Sequence, residues 1–489
     1  QAWTGATSQD WLTANNWNPN FLPVNLADIA ISTAKYPIID GVAASVGTVK
    51  VGAFPLVLGA KAKLDIVNGG KLSSSTGVIA DLDSQVGVVS VSGPGSLWNN
   101  SAAMAIGKGG AGDLLVSGGG QVKSNSITVA ELVGTGSTLS VDGAGSKVTS
   151  ANQLMLGGQS AAYMYVKNGG TVGNGYAEIA QGVGTHSYAW ITGKDSRWDS
   201  SGGLIVGNAG TATLEVSNAG QISSLYSALA ADTSSYAITT VSGAGSRWDN
   251  TQFLKVGVRG TAYLNIEQGA VVTNTDGTLG LQGSSLGKVE IHDASSRWDN
   301  TGSLTVGLAA WGLLYIHDAA VVTSLDGTIA SDLSGKGRVD VTKGGSWTMT
   351  DGLTVAQSGS GRLFVNSGGQ VSNKTAVIAL KAAAKGEVTV QDAGSLWTSS
   401  AALTVAAAGD GSLQVLDGGQ VRSLKGAVAY DASSLGHVVV SGAGSRWDNT
   451  QTLTVGVYGM GEMAVQQGAA VTSMVGRIGD EAGSNSLVS

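Results

Sequence analysis

The stretch Ser246-Arg247-Trp248-Asp249-Asn250 decides the fold, because close copies of it recur along the chain at a fixed spacing. Full and looser copies place a tryptophan in the same slot, and Val148 fills that slot once. The tryptophans of this slot are Trp98, Trp198, Trp248, Trp298, Trp347, Trp397 and Trp447. Successive slots lie 50 residues apart, with one step of 49. Such a period is typical of repeat architectures, in which each repeat packs on its neighbours.

A second landmark, a turn followed by a β-branched residue or leucine, recurs with the same period between the copies of the phrase. Its members are Leu72, Val122, Val172, Ile222, Val272, Val322, Val371, Val421 and Val471. Superposing the two landmarks aligns Trp298 with Val322, 24 residues on, and Leu304 with Ile329, 25 residues on. The 50-residue repeat is therefore a pair of ~25-residue coils. Because aliphatic residues alternate with tryptophan in one column, we favour a buried column over an exposed stripe of sugar-binding rings.

Each coil has about three short strands with alternating apolar residues, as in Val289-x-Ile291. The first strands are predicted at 28–31, 48–51 and 56–58. Glycine corners and the pairs Asp276-Gly277 and Asp326-Gly327 are predicted to turn the chain between strands. This pattern predicts an all-β, single-stranded parallel β-helix (solenoid) of about 18 rungs. A β-propeller is the alternative, but its antiparallel blades have no place for a ~25-residue half-repeat.

The first 26 residues differ from the rest and are predicted to form an N-terminal cap over the solenoid. They contain Trp3, Trp11 and Trp17, and all five prolines of the chain lie at or before Pro94. A separate carbohydrate-binding module is the alternative, although ~25 residues are too few to build a core. Residues 27–489 are predicted to be the parallel β-helix. Its last rung is expected to be truncated mid-repeat at the C-terminus.

Composition excludes several classes of partner. Charged residues make up 12% of the chain, the net charge is -7, and no basic run is present. We therefore expect no nucleic-acid partner, because phosphate binding depends on clustered Lys and Arg. No run approaches the ~18 apolar residues of a membrane helix, so no direct membrane insertion is expected. The start at Gln1 has no apolar leader segment, and we expect any signal peptide to have been removed already.

Candidate chemistry is sparse. Acidic residues recur after the third strand, at Asp81, Glu131, Asp232, Asp332, Asp431 and Asp480. The closest of them would lie about 10 Å apart, a separation that an inverting glycosidase tolerates. A catalytic site occurs once, however, whereas this acid recurs along the chain, so solvated turn residues are the favoured interpretation. Adjacent His292 and His317 lack a third ligand for zinc. We expect no catalytic site, no cofactor and no metal.

The charged residues beside each tryptophan should point outward, because neighbouring residues of a strand alternate between its two faces. They are therefore the candidate residues for lateral contacts with a partner. These candidates are Arg197, Arg247, Arg297, Arg446, Asp199, Asp249, Asp299 and Asp448.

The segments Thr240–Trp248 and Val438–Trp447 resemble the repeat shared by autotransporter (type V secretion) passengers and PEP-CTERM surface proteins. The opening Trp3-Thr4-Gly5, with Asp10-Trp11 and Asn16-Trp17, is similar to the mature start of many such passengers. The resemblance implies a right-handed β-helix exported across the outer membrane through its own C-terminal β-barrel. No barrel follows here, so the resemblance implies a fragment of a longer passenger.

The predicted function is that of a structural and adhesive rod on the surface of a bacterium. It would act in adhesion, self-association or biofilm formation through a repetitive lateral face. Its partners would be other copies of itself, or host and matrix glycans and surface proteins, and its location the cell surface or the extracellular space. The alternatives are a β-helical protein that binds or degrades polysaccharides, and a PEP-CTERM-type matrix or envelope protein.

Overall fold

The computed structural model describes residues 1–53, 61–134, 136–480 and 484–489. The chain divides into two compact units, Gln1–Asp249 and Asn250–Ser489, and each is described by itself. Both are parallel β-helices, which confirms the predicted fold class. The strand predicted at 56–58 lies outside the described residues. The one helix found in the described ranges is a 3-10 turn, Ala14–Asn16, and none is long and apolar enough to cross a membrane.

One coil of the first unit shows the plan that both units follow. The strand Val86–Ser92 is followed by a turn and then by the strands Leu97–Asn100 and Ala103–Ile106. After a second turn, Ala111–Ser117 pairs in parallel with Val86–Ser92, 25 residues on. The first strand of each coil belongs to what we call the lateral sheet. The other two strands belong to the tryptophan sheet, in which they run on into one bent strand in several coils.

In the unit Gln1–Asp249, nine described strands form the lateral sheet: Ile38–Asp40, Ala62–Val67, Val86–Ser92, Ala111–Ser117, Ser137–Asp142, Ala162–Lys167, His186–Thr192, Thr211–Ser217 and Tyr236–Ser242. The strands of the tryptophan sheet are Ala2–Trp3, Trp17–Asn18, Ile29–Ile31, Ala43–Ser45, Thr48–Val51, Lys71–Ser74, Thr76–Ile79, Leu97–Asn100, Ala103–Ile106, Gln121–Val129, Lys147–Leu156, Thr171–Ile179, Arg197–Val206, Gln221–Leu229 and Arg247–Asn250, whose last residue opens the second unit.

In the unit Asn250–Ser489, ten described strands form the lateral sheet: Thr261–Glu267, Leu286–Ile291, Trp311–Ile316, Lys336–Val341, Ser360–Val365, Lys385–Gln391, Asp410–Leu416, Leu435–Ser441, Met460–Gln466 and Asn485–Val488. The tryptophan sheet contains Phe253–Val256, Val271–Asn274, Asp276–Leu279, Arg297–Asn300, Leu304–Val306, Val321–Ser324, Gly327–Ile329, Ser346–Met349, Gly352–Val355, Gln370–Asn373, Thr375–Ile378, Leu396–Val405, Gln420–Val428, Arg446–Asn449, Thr452–Val455, Ala470–Thr472 and Val475–Ile478.

The strand register places tryptophan and aliphatic residues in one column, as the superposed half-repeats predict. Trp198 pairs with Val172 on one side and with Ile222 on the other. In the second unit, Trp298 likewise lies between Val272 and Val322. Inward-facing residues of all three strands are almost completely buried, and they form the core of each coil. The hydrophobic effect along these columns is the main force that stacks one coil on the next.

Some coils contribute an aliphatic residue to the column in place of tryptophan, such as Val122 or Val172. The turn that precedes this residue has a left-handed backbone at two successive residues. Asn168 and Gly169 have φ of 54° and 86°, and Gly118 and Gly119 have φ of 56° and 90°. Positive φ at both central residues is the signature of a type I′ turn, which asparagine and glycine tolerate best. Backbone conformation therefore explains Gly119 and Gly169, whereas the glycine that follows each is explained by space: a Cβ atom on Gly120 would clash with the Val91 carbonyl oxygen of the preceding coil.

The prediction that Asp276-Gly277 and Asp326-Gly327 turn the chain is wrong. Gly277 lies within the strand Asp276–Leu279, and Gly327 opens the strand Gly327–Ile329. A Cβ atom on Gly277 would lie 2.9 Å from Cζ2 of Trp298, and one on Gly327 would lie 2.6 Å from Cζ2 of Trp347. These glycines therefore make room for the indole of the following coil, a packing role that resembles a turn signal in the sequence.

The N-terminal residues form a compact arrangement of three buried indoles. Strand Ala2–Trp3 pairs antiparallel with Trp17–Asn18 and parallel with Ile29–Ile31, the first strand of the regular coils. The Trp17 ring meets the Trp3 and Trp11 rings edge to face, at centroid distances of 5.0 and 4.8 Å. Edge-to-face packing of this kind stabilises aromatic clusters beyond simple area burial.

Candidate functional site

The seven tryptophans of the repeated phrase lie inside the coils, with no solvent exposure. Their indole nitrogens donate hydrogen bonds to a side chain of the preceding coil. Trp198 Nε1 donates to Asn174 Oδ1 at 2.6 Å, and Trp98 Nε1 donates to Ser74 Oγ at 2.9 Å. Trp248 Nε1 is the exception, since it finds no partner among the described residues. A column of fully buried rings, most of them with a satisfied N–H group, is a structural element, so these rings cannot serve as sugar platforms.

The asparagine that ends the phrase belongs to a buried polar ladder that the sequence analysis did not predict. In the second unit, Asn274 Nδ2 donates to Asn300 Oδ1 at 2.5 Å, and Asn300 Nδ2 donates to the Thr323 carbonyl at 3.1 Å. In the first unit, Asn174 Nδ2 donates to Ser200 Oγ at 2.8 Å. The ladder lies at the corner between the two strands of the tryptophan sheet. It supplies polar partners where indole N–H groups would otherwise be buried unpaired.

The serine that opens the phrase joins its turn to the coil before it. Ser196 Oγ accepts a hydrogen bond from the Gly169 backbone N–H at 3.0 Å and donates to the Thr192 carbonyl at 2.8 Å. The same pair of bonds recurs at Ser146 and Ser445. These hydroxyls satisfy backbone groups at the turn, which local side-chain bonds do in many loops.

The arginines and aspartates of the phrase, predicted as lateral contacts, do face solvent. The four arginine side chains are 41–47% exposed. Each donates to the aspartate two residues further along its own strand, at distances of 3.0, 2.7, 2.9 and 2.9 Å. The pairs are Arg197–Asp199, Arg247–Asp249, Arg297–Asp299 and Arg446–Asp448.

These pairs are locally neutral. The hydrogen bond to Asp199 raises the pKa of Arg197, and the hydrogen bond from Arg446 lowers the pKa of Asp448. Asp299 and Asp448 also accept a hydroxyl hydrogen bond from a threonine of the next coil. Exposed pairs of this kind contribute little free energy, and they carry no net charge for steering a partner.

The recurring acids do not share one environment. Asp81 lies between Lys50 and Lys108, at 2.7 and 3.4 Å. Its burial raises the pKa of the carboxyl group, but hydrogen bonding and the charges of the two lysines outweigh this and lower it. Asp232 instead accepts hydrogen bonds within its own turn, and Asp480 pairs with Arg477. No two of these acids are held as a facing pair in the described contacts.

The two adjacent histidines stack on each other with centroids 5.3 Å apart. His292 lies between Glu267 and Asp293, both at 3.1 Å. His317 lies between Glu290 at 3.2 Å and a second carboxylate, Asp318. Within the described ranges, no set of three or more potential ligand side chains is arranged to hold a metal ion.

An aromatic stack lies on the outer face of the lateral sheet of the first unit, and its four rings are partly exposed. Tyr163 and Tyr165 point outward from one strand, and Tyr188 and Trp190 from the next. Ring centroids are 5.5 Å apart for Tyr163–Tyr188, 4.9 Å for Tyr165–Trp190 and 5.3 Å for Tyr188–Trp190, with planes within 6° of parallel. Coplanar rings would overlap at such separations, so these rings lie in parallel, stacked planes.

Sequence reasoning missed this stack, although a signal was present. Aromatic residues two positions apart occur in both strands, and the register places the two pairs one coil apart. Residues one coil apart at outward positions are neighbours on the sheet surface. These outward positions lie on the lateral sheet, away from the repeated phrase.

No family model matches the chain, and no curated protein matches it.

Proposed function

We propose that this chain is a structural and adhesive protein of a bacterial cell surface, without enzymatic activity, whose copies associate with one another. The observation that carries this proposal is the aromatic stack of Tyr163, Tyr165, Tyr188 and Trp190. Inward positions repeat from coil to coil and serve the core, whereas these outward rings have no core to fill. Aromatic side chains at least partly open to solvent are enriched in protein interaction sites, since Tyr and Trp combine large apolar area with few rotatable bonds.

The occupant of the stack is a second copy of the chain. Each copy presents the same stacked aromatic surface, and two identical surfaces can meet about a two-fold axis. The four ring positions carry no charge, so two copies meet there without burying an unpaired ion. Repetition of weak contacts between many displayed copies then gives strong adhesion between cells.

Co-aggregation of two cell populations tests this proposal. Labelled and unlabelled cells that display the full protein are mixed, and mixed aggregates are counted by microscopy. The Tyr165→Ser/Trp190→Ser variant removes half of the stack and is expected to abolish mixed aggregates. The matched control is Tyr430→Ser/Tyr458→Ser, because these rings also touch each other, with centroids 6.3 Å apart, and are 49% and 45% exposed.

Two outcomes would contradict the proposal. If cells with the unaltered protein do not co-aggregate, self-association is rejected. If the stack variant aggregates as well as the control variant, the stack is not the contact. A screen of polysaccharides for new reducing ends tests the non-enzymatic part, and release of reducing ends by purified protein would overturn it.

A further inference from the structure

Four cations are concentrated on the outer face of the lateral sheet in the unit Asn250–Ser489. Lys336 and Arg338 belong to the strand Lys336–Val341, Arg362 to Ser360–Val365, and Lys385 opens Lys385–Gln391. The chain has only 27 Lys and Arg among 489 residues. Four cationic side chains on three successive strands therefore give a local excess of positive charge in an acidic protein.

The strand register arranges these cations in two columns. Lys336 pairs with Ser360, which pairs with Lys385, and in the neighbouring column Arg338 pairs with Arg362. Neighbouring strands lie about 4.8 Å apart, so the two lysines stand about 10 Å apart along the sheet with Ser360 between them.

Part of this charge is uncompensated. Arg338 pairs with Asp340 at 2.8 Å, and Arg362 pairs with Glu387 at 3.1 Å. Lys336 and Lys385 form no ion pair with any carboxylate in the described part of the chain, although Asp410 is the register partner of Lys385 on the next strand. The Lys336 ammonium lies 5.0 Å from the centre of the Trp311 ring, and a cation over an indole remains available to an anion.

Two adjoining open cavities turn this patch into a groove. One, of about 350 Å³, is lined by Trp311, Lys336, Arg338 and Ser360, among others. The other, of about 250 Å³, extends past Lys385 to Asp410. Both are lined by Ser360 and Arg362, so they form one continuous depression. We call it the cationic groove; its defining residues are Trp311, Lys336, Arg338, Ser360, Arg362 and Lys385, and the carboxylates Glu387 and Asp410 also line its far end.

We infer that the cationic groove binds a carboxylate-bearing glycan, a chain of uronic acid type. Trp311 is 48% exposed at one end of the groove and offers apolar surface to the C–H face of a sugar ring. Arginine binds carboxylates through two parallel hydrogen bonds, and lysine adds point charges. A uronic acid polymer carries one carboxylate on each ring, which suits cations spaced along one direction of the sheet.

A nucleic acid suits the groove less well. Duplex DNA carries one charge per about 1.7 Å and needs a denser row of cations than one lysine every ~10 Å. Single strands need several aromatic platforms for their bases, whereas one exposed indole borders this groove. This inference does not depend on self-association, because the groove and the aromatic stack are different surfaces in different units.

Affinity electrophoresis of the purified full chain through gels containing polygalacturonate tests the inference, with neutral galactan gels as the reference. Polygalacturonate is expected to retard the protein, and the retardation should fall as salt is added, because exposed charges are screened. The Lys336→Gln/Arg362→Gln/Lys385→Gln variant is expected to bind about tenfold more weakly or worse, since it removes both lysines of the groove and one of its two arginines.

The matched control is Lys343→Gln/Lys374→Gln/Lys425→Gln, which removes the same number of surface lysine or arginine charges from the same unit, outside the groove. It should bind like the unaltered protein, and circular dichroism checks that both variants are folded. The inference is overturned if polygalacturonate does not retard the unaltered protein, if both variants bind equally, or if an oligothymidylate of equal charge binds as tightly. If cells that display the unaltered protein do not co-aggregate but the purified protein still binds polygalacturonate, the proposed function is rejected and this inference is not affected.

Discussion

The five residues of the Ser-Arg-Trp-Asp-Asn phrase have four separate structural roles, which explain its repetition. The serine hydroxyl joins a turn to the preceding coil, and the arginine and aspartate neutralise each other at the surface. The indole fills the core, and the asparagine continues a buried polar ladder. The phrase is therefore maintained by packing and hydrogen bonding, and its repetition gives no evidence of a repeated binding site.

At the level of single residues, Asn174→Ala should destabilise the coils around it. The substitution leaves Trp198 Nε1 buried without its acceptor and removes the donor to Ser200 Oγ. An orphaned buried polar group costs about 1–3 kcal/mol. The midpoint of urea unfolding measures the loss, and Asn152→Ala is the control because Asn152 bonds Asn125 at the surface. Equal midpoints for the two variants would contradict a structural role for the ladder.

The ion pairs of Asp81 predict a pH-dependent contribution to stability. The charges of Lys50 and Lys108 hold the pKa of this carboxyl group below its ordinary value of 3.8, although burial opposes them. A lowered pKa in the folded state means that the contribution is present above pH 3.8 and disappears as pH falls through the lowered value.

Asp81→Asn should therefore cost up to about 1 kcal/mol at neutral pH, and this difference from the unaltered protein should vanish in acid. Denaturant unfolding at a series of pH values measures the difference. Asp83→Asn, at an exposed position of the same turn, serves as the control and should stay within about 0.5 kcal/mol throughout. A difference that persists at low pH would show that the ion pairs are not its cause.

At the level of strands, small residues beneath the indoles are a condition for the fold. Gly327→Val should disturb the strand Gly327–Ile329, because a Cβ atom there would lie 2.6 Å from Trp347 Cζ2 and 2.8 Å from Met349 Sδ. Overpacking of a core costs about 1–3 kcal/mol. Hydrogen exchange of this strand and of the next coil should become faster, because stability in a solenoid is local.

Gly352→Ala provides the comparison for that experiment. A Cβ atom at position 352 would meet nothing closer than Thr375 Oγ1 at 3.4 Å, which is ordinary contact. Exchange rates near position 352 should therefore remain as in the unaltered protein. If Gly327→Val also left the exchange rates unchanged, the indoles would have to be more mobile than their burial implies.

The strands could be predicted from the sequence because the residues that form them recur at a fixed period. Alternation, the ~25-residue coil and the exchange of Trp with Val in one column all follow from the inward positions, which the core holds constant. The glycines at 277 and 327 were not predictable in the same way. An Asp-Gly pair favours a turn by local propensity, whereas here a contact with an indole 20 or 21 residues later determines the glycine.

At the level of the whole molecule, the repeat period determines the inward-facing residues but does not determine the outward-facing ones. Tyr163, Trp190, Trp311 and Lys336 have no equivalent in most coils, so no repeat points to them. The coil length already indicates the grouping of the aromatic stack, whereas the strand register shows that Trp311 and Lys336 are neighbours. The candidate contact surfaces consequently came from the structure, while the fold class came from the sequence.

Removal of coils in pairs should be tolerated, whereas removal of one coil should not. Deletion of 297–345 brings Trp347 into the place of Trp298, against Val272 and Gly277. Deletion of 321–345 instead places Trp347 on Trp298, with Leu304 where Gly327 had made room. Thermal unfolding followed by circular dichroism should keep its midpoint within a few degrees in the first case and lose several degrees in the second. Equal midpoints would contradict the alternation.

This alternation also constrains how such a gene can change in length. Near-identical copies of the phrase invite unequal crossing-over between one copy and the next, and each such event adds or removes a complete pair of coils. The exchange therefore keeps every large ring opposite a small residue without any compensating mutation. Natural variants of this chain should accordingly differ in length by multiples of the long period.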